Sequence, residues 1–150
     1  FFQDFSRNSL SEDIWQQHTG QILENTSLQI VLQDYICKQY LWKQLLSGKC
    51  PVEFTSIGRW WGNDPIEKCQ TEIDIMGEQD KNTALFAECK WTNEKVDLGV
   101  LETLIKRSNL FSYKTKHYYL FSKSGFTKGC IDKANEMGNV SLVDYRCIVS

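Results

Sequence analysis

A chain of 150 residues, 41% hydrophobic and 13% aromatic, has enough apolar material to bury a core, which excludes a disordered chain. It has no run of eighteen apolar residues, so a membrane-spanning helix is excluded too. The net charge of −2 hides an asymmetry: residues 101–150 carry eight Lys/Arg against four Asp/Glu, and residues 1–100 carry nine against fifteen.

In chain order, residues 1–26 read as an irregular opening segment in which "SEDIWQQ" offers a Ser N-cap for a short helix. "SLQIVLQDYICKQYLWKQLLSG" predicts the strongest helix, near 27–47. Leu28, Val31, Leu32, Tyr35, Ile36, Tyr40, Leu41 and Leu45 recur at helical spacing, and Gly48 and Pro51 stop it. Strands are expected near 54–61, 71–77 and 83–91. "GNDP" forms the turn between the first two, and the short polar "EQDKN" makes the last two an antiparallel hairpin. "VDLGVLETLIKRSNLF" predicts a helix with Leu98, Leu101, Leu104, Ile105 and Leu110 on one face. "KHYYLFS" predicts a buried strand near 116–122, "TKGCIDKANEMG" a helix ending at Gly138, and "NVSLVDYRCIV" a last strand near 140–149. A meander followed by β-α-β crossovers predicts one α/β domain over 1–150, with a central mixed five-stranded sheet flanked by helices. The chain opens on Phe1 rather than Met, so a piece of a longer protein is expected.

Between Thr103 and Ile131 there is no acid, while Lys106, Lys114, Lys116 and Lys123 alternate with tyrosines. Such a stretch can track a phosphate backbone, and it equally fits a solvated face offsetting the acidic half. Lys106 either pairs with Glu102 along its helix or faces the candidate site on the strand that this helix follows. Of Trp60 and Trp61, beside Arg59, one is expected in the core and one exposed. The six cysteines contain no C-x-x-C pair and sit mostly in apolar runs. They read as buried thiols in a reducing, cytoplasmic compartment, with disulfides as the alternative.

The chemistry concentrates on the hairpin. Strict alternation puts Glu72, Asp74 and Met76 on one face of the second strand, with Ile73 and Ile75 on the other. In "ALFAECKW", Glu88 and Lys90 share a face. The hairpin can bring Asp74 opposite or diagonal to Glu88, within about 5–8 Å. Two carboxylates that close call for a cation between them, and Mg²⁺ (or Mn²⁺) suits hard oxygen ligands. The backbone carbonyl of Cys89 offers a third ligand. Lys90 then lies beside the metal-bound water or a phosphate, as phosphodiester hydrolysis needs. The plain alternative is a solvated Glu–Lys face.

An acid followed by E-C-K on the next strand, in α-β-β-β-α-β order, resembles the PD-(D/E)XK restriction-endonuclease-like superfamily, with Asp74, Glu88 and Lys90 at the matching positions. A closer resemblance is to the domain of unknown function 234, carried by "IGRWWGNDPIEKCQTEIDIMG", "ALFAECKWTNEKVD" and "HYYLFSKSGFT", with "FFQDFSRN" like its opening segment. The resemblance implies a restriction-endonuclease-like fold and a metal-dependent nuclease acting on nucleic acid, DNA foremost. It also implies P-loop ATPase and winged-helix modules earlier in the same chain. It makes Asp34 a supplementary helix acid at the metal site, although the superfamily more usually has the longer Glu there. A catalytically inactive, nucleic-acid-binding or regulatory domain of that ATPase is the competing reading.

If the cysteines are thiols, unfolding the unreduced protein in a thiol reagent should titrate all six of them. A titre of four or fewer would mean a bridged pair.

Overall fold

The computed structural model describes residues 26–144 and residue 148, with side chains from residue 32 onward. The short helix expected in the opening segment, the end of the expected last strand and Cys147 lie outside the described residues.

Helix α1 spans Thr26–Leu46 and stops where expected: Gly48 takes φ +74° and the Lys49 N–H turns back to the Gln44 carbonyl. Its apolar stripe buries Leu32, Ile36, Leu41 and Trp42. Strand β1 (Ser56–Asp64) then runs through the Gly62-Asn63 pair expected to turn. The turn falls instead on residues 65–68. There the Asp64 carboxylate accepts the Ile66 and Glu67 N–H groups, and Lys68 adopts φ +53°. The side chain of Asp64, rather than a glycine, therefore sets this turn.

Strands β2 (Cys69–Glu78) and β3 (Thr83–Lys90) form the expected hairpin. Helix α2 (Leu98–Ser108), strand β4 (Thr115–Ser122), helix α3 (Lys128–Met137) and strand β5 (Val140–Asp144) complete the chain order. The five strands form one mixed sheet in sequential order, antiparallel from β1 to β3 and parallel from β3 to β5. Asp97 and Thr127 cap α2 and α3 through their side chains, and Gly138 ends α3 at φ +77°.

The sheet separates two cores. On one face α1 contributes Cys37, Leu41 and Trp42 against Ile57, Ile75, Leu85, Ala87 and Phe121. On the other, Leu101 and Leu104 of α2 and Cys130 of α3 pack on Met76, Phe86, Tyr118 and Leu120. Every residue of β3 from Ala84 to Cys89 is buried, because helices cover both of its faces.

The alternation expected of β2 fails at one point. Gly58 pairs with Met76, but Trp60 pairs with Ile73, so β1 advances two residues while β2 advances three. This is a β-bulge, and it phases the two ends of β2 differently. Ile73 joins the α2-side core and Ile75 the α1-side core, so the expectation that they share a face is corrected.

Beyond the bulge, Gly77 passes under the α1-side core. A Cβ there would stand 2.7 Å from Ile57 Cγ2 and 3.2 Å from the Phe54 Cβ. Gly77→Ala should therefore overpack the core and lower stability by about 1–3 kcal/mol. The check is a reduced urea midpoint with an unchanged m-value.

Candidate metal and phosphate site

The ladder between β2 and β3 runs from Glu78↔Ala84 to Ile75↔Ala87 and then stops. Past that pair the two strands part like a fork. The Cys89 N–H donates to Asp74 Oδ2 at 3.0 Å, so a side chain stands in for the ladder bond at the crotch. The bulge makes this possible by re-aiming Asp74. Residues on the far arm stay paired in parallel with β4, Glu88 opposite Leu120 and Lys90 opposite Ser122.

Glu88 lies on the α2 side of β3 and is 8% exposed. Its Oε2 is buried and makes no hydrogen bond, an orphaned acceptor of the kind folded proteins rarely leave. Lys90 Nζ is 3.5 Å from Oε1, and Arg107 Nη1 is 3.9 Å from Oε2. Burial and then the negative charge of Asp74 push the Glu88 carboxyl from 4.5 up to about 8, against the pull of Lys90 and Arg107. A carboxyl so placed gains from a cation.

In sequence Arg59 stands out only as a neighbour of Trp60 and Trp61. It sits on β1 opposite the bulge, and its guanidinium pairs with Asp34, stands 3.2 Å from Glu72 and reaches within 3.7 Å of Asp74. Asp34 also feels Lys38, one turn on along α1 and 1% exposed. Burial nevertheless raises the Asp34 carboxyl overall. Pairing across the sheet, which only the register reveals, brings Arg59 to these acids.

Two donor sets are therefore available. Asp34, Asp74 and Cys89 offer ligand atoms within 4.8 Å of one another, Cys89 through its sulfur rather than the backbone carbonyl expected from sequence. That set suits a hard cation poorly. The Cys89 thiol is pushed well up by burial and stays protonated, and Arg59 already holds Asp34. Asp74 and Glu88 fit better, since they repel each other and Glu88 has a free buried oxygen. In this structure Asp34 serves as a counter-ion for Arg59.

The basic residues named from sequence do not gather. Lys106 pairs with Glu67 on the β1–β2 turn. Lys116 and Lys123 flank opposite ends of β4, about 23 Å apart at ~3.3 Å per residue. Lys116 donates to the Ser108 carbonyl, Lys123 to Asn93 near the site, and Lys114 is exposed. Arg107, one residue beyond Lys106, faces the site instead. Val100, Thr103, Leu104 and Arg107 recur at i, i+3, i+4 and i+7 on one side of α2 and line a cleft with Glu88 and Lys90. Helical phase could have preferred Arg107 over Lys106.

Cys37, Cys50, Cys69, Cys89 and Cys130 are free thiols, and no described helix is long and apolar enough to cross a membrane.

Fold and site together define an α/β domain with an acid–acid–lysine cluster at a fork in a mixed sheet. The chain belongs to the DUF234 family, described as "Archaea bacterial proteins of unknown function", whose model matches residues 6–100. Among solved structures, the DNA modification-dependent restriction endonuclease AspBHI is similar at TM-score 0.44 and 18% identity, over 92% of this chain and 32% of that one. A protein of unknown function, AF1548, is similar at TM-score 0.44 and 18% identity, over 71% of this chain and 55% of that one. This chain thus spans about a third of the first and about half of the second. No curated protein matches the sequence.

The raised Glu88 carboxyl has a signed consequence. Below pH 4.5 folded and unfolded states both carry its proton, and between 4.5 and about 8 only the folded state does. Without divalent metal, stability should fall across that window by up to ~1.4 kcal/mol per pH unit from this group. Asp34, also raised, adds in the same direction. Denaturant unfolding at stepped pH should show Glu88→Gln flattening most of the slope. An unaltered slope would refute the burial account.

Proposed function

We propose that this domain is a metal-dependent nuclease that hydrolyses phosphodiester bonds, of DNA before RNA. The observation that carries the reading is the buried, unpartnered Glu88 Oε2 beside Asp74. Asp74 and Glu88 would hold Mg²⁺ or Mn²⁺, which relieves their mutual repulsion. When bound, such an ion neutralises phosphate charge and lowers the pKa of a coordinated water. Lys90, 41% exposed at its side chain, extends from the same face toward solvent and opposes negative charge developing on a phosphate. Arg107 adds a second positive charge at the same cleft. The order of elements and the position of the acids at the β2–β3 fork accord with the restriction-endonuclease-like arrangement that the sequence resembles. On the same resemblance, the domain is one part of a cytoplasmic chain that carries P-loop ATPase and winged-helix modules before it.

A second reading has its own observation. Arg59 already neutralises Asp34 and approaches Asp74, so part of the acidic cluster is balanced by the protein itself. A domain of that kind serves its ATPase by binding nucleic acid or a partner, without cleavage.

The two readings separate in calorimetry and kinetics. In the nuclease reading, Mn²⁺ binds wild type, and the binding tightens as pH rises toward 8 because Glu88 must release its proton. Asp74→Asn and Glu88→Gln each lose the metal. Lys90→Ala keeps or gains metal affinity but slows cleavage by about 10²–10³. EDTA abolishes turnover in every case. A wild type that binds no divalent ion and cuts no DNA or RNA, with the ATPase modules present, leaves the regulatory reading.

A further inference from the structure

The fork that exposes Asp74 and Glu88 also opens a cleft on either side of one arginine. The first, about 310 Å³, is lined by Glu88, Lys90, Val100, Thr103 and Arg107 among others. The second, about 300 Å³, is lined by Trp61, Gln70, Thr71, Glu72 and Arg107. Arg107 spans the fork: its Nη1 donates to the Glu72 carbonyl of β2 at 3.1 Å and stands 3.9 Å from the Glu88 carboxylate of β3. Only Nη1 has a protein partner among the described residues. Among the described residues the donors on Nε and Nη2 have no hydrogen-bond partner, and a guanidinium fork matches the geometry of a phosphate.

The second cleft has a different character from the first. It offers an aromatic ring, an amide, a hydroxyl and a carboxylate, with Arg107 as its one cation. The two adjacent tryptophans are not equivalent there. Trp60 is committed to the core, edge-on to Phe111 with ring centroids 4.9 Å apart. Trp61 is half-buried and makes no ring contact among the described residues. A ring of that kind beside hydrogen-bonding side chains suits a planar, polar base. Glu72 is already paired with Arg59, and Lys90 serves the phosphate at the acid pair, so Arg107, which lines both clefts, is the place for a phosphate between them.

We infer that the two clefts receive neighbouring nucleotides of one locally unpaired nucleic-acid strand. Arg107 grips the phosphate between them, and the base on the β2 side stacks against Trp61 within reach of Gln70 and Thr71. The inference rests on the nuclease reading and adds to it the form of the substrate. Bases inside a duplex are stacked on both faces and paired at their edges, so a base enters this cleft only from a single strand, a frayed end or a splayed junction.

The test is equilibrium binding, which needs no turnover. A fluorescein-labelled oligonucleotide, single-stranded or annealed to its complement, is titrated by anisotropy with Ca²⁺ in place of Mg²⁺, at several salt concentrations. Wild type should bind the single strand at least tenfold more tightly than the duplex. Trp61→Ala should weaken single-strand binding about tenfold, the worth of one stacked base, and leave duplex binding alone. Arg107→Gln should weaken binding to both and lower the slope of log affinity against log salt by about one. Arg107→Lys should restore the slope while leaving the affinity low, since it keeps the charge without the fork. Circular dichroism verifies that each variant is folded, and Trp61→Phe, which keeps a ring, should retain most of the preference. Equal loss from Trp61→Ala on single strand and duplex, or none on either, overturns the base cleft. An unchanged salt slope in Arg107→Gln overturns the phosphate contact. Metal-dependent cleavage of duplex with no single-strand preference would overturn this inference while keeping the nuclease reading, whereas binding to neither form removes both.

Discussion

One extra residue in β2 governs the site. Without the bulge between the Gly58↔Met76 and Trp60↔Ile73 pairs, Asp74 would project in the phase of its neighbours and the β2–β3 ladder would have no reason to end at Ile75↔Ala87. With it, Asp74 lies at the crotch of the fork, where its carboxylate accepts the Cys89 N–H. That single hydrogen bond closes the ladder and positions a charge beside Glu88 at once. Past the end of that ladder the β3-facing edge of β2 is unpaired, so that Arg107 can reach the Glu72 carbonyl. A bulge bends its strand and re-aims one side chain, and here both effects serve the same few residues.

The charges sort into two groups around that fork. Toward α1, Arg59 and Lys38 face Asp34, and Arg59 extends to Glu72 and Asp74. Toward α2, Lys90 and Arg107 flank Glu88 at distances too long for firm hydrogen bonds. The first group is a compensated ion network, and such networks hold geometry more than they bind ligands. The second is under-compensated: a buried oxygen lacks a donor, and burial with the Asp74 charge favours its protonated form. Asp74 belongs to both groups. The domain therefore holds an acid pair of which one member is anchored by a hydrogen bond and the other has one buried oxygen without a donor.

The two cores give this arrangement its rigidity. The strand that carries Glu88 and Lys90 is buried on both faces along most of its length, with Leu85 and Ala87 packed toward α1 and Ala84 and Phe86 toward α2. Only at its C-terminal end, where β2 has turned away, does it meet open space. Beyond that end the Val96↔Phe126 bridge ties the loop after β3 to the loop after β4. The exposed functional groups thus stand at the end of the most enclosed element in the domain, which suits groups that must hold their geometry.

The sequence by itself determined the order and type of the elements, because long amphipathic stripes and short β-rich runs impose periods of 3.6 and 2 whatever surrounds them. It also determined that Glu88 and Lys90 share a face, since they are two residues apart on an unbroken strand. Tertiary structure decided the rest. The Asp64 side chain set the first turn three residues later than the expected "GNDP", and the bulge divided Ile73 from Ile75. Pairing across β1 and β2 recruited Arg59, and the phase of α2 against the sheet chose Arg107 over Lys106. The length of β4 held Lys116 and Lys123 apart although only seven positions separate them in sequence. Register, helix phase and the distance between strand ends depend on residues far apart in the chain, and local periodicity carries no information about them.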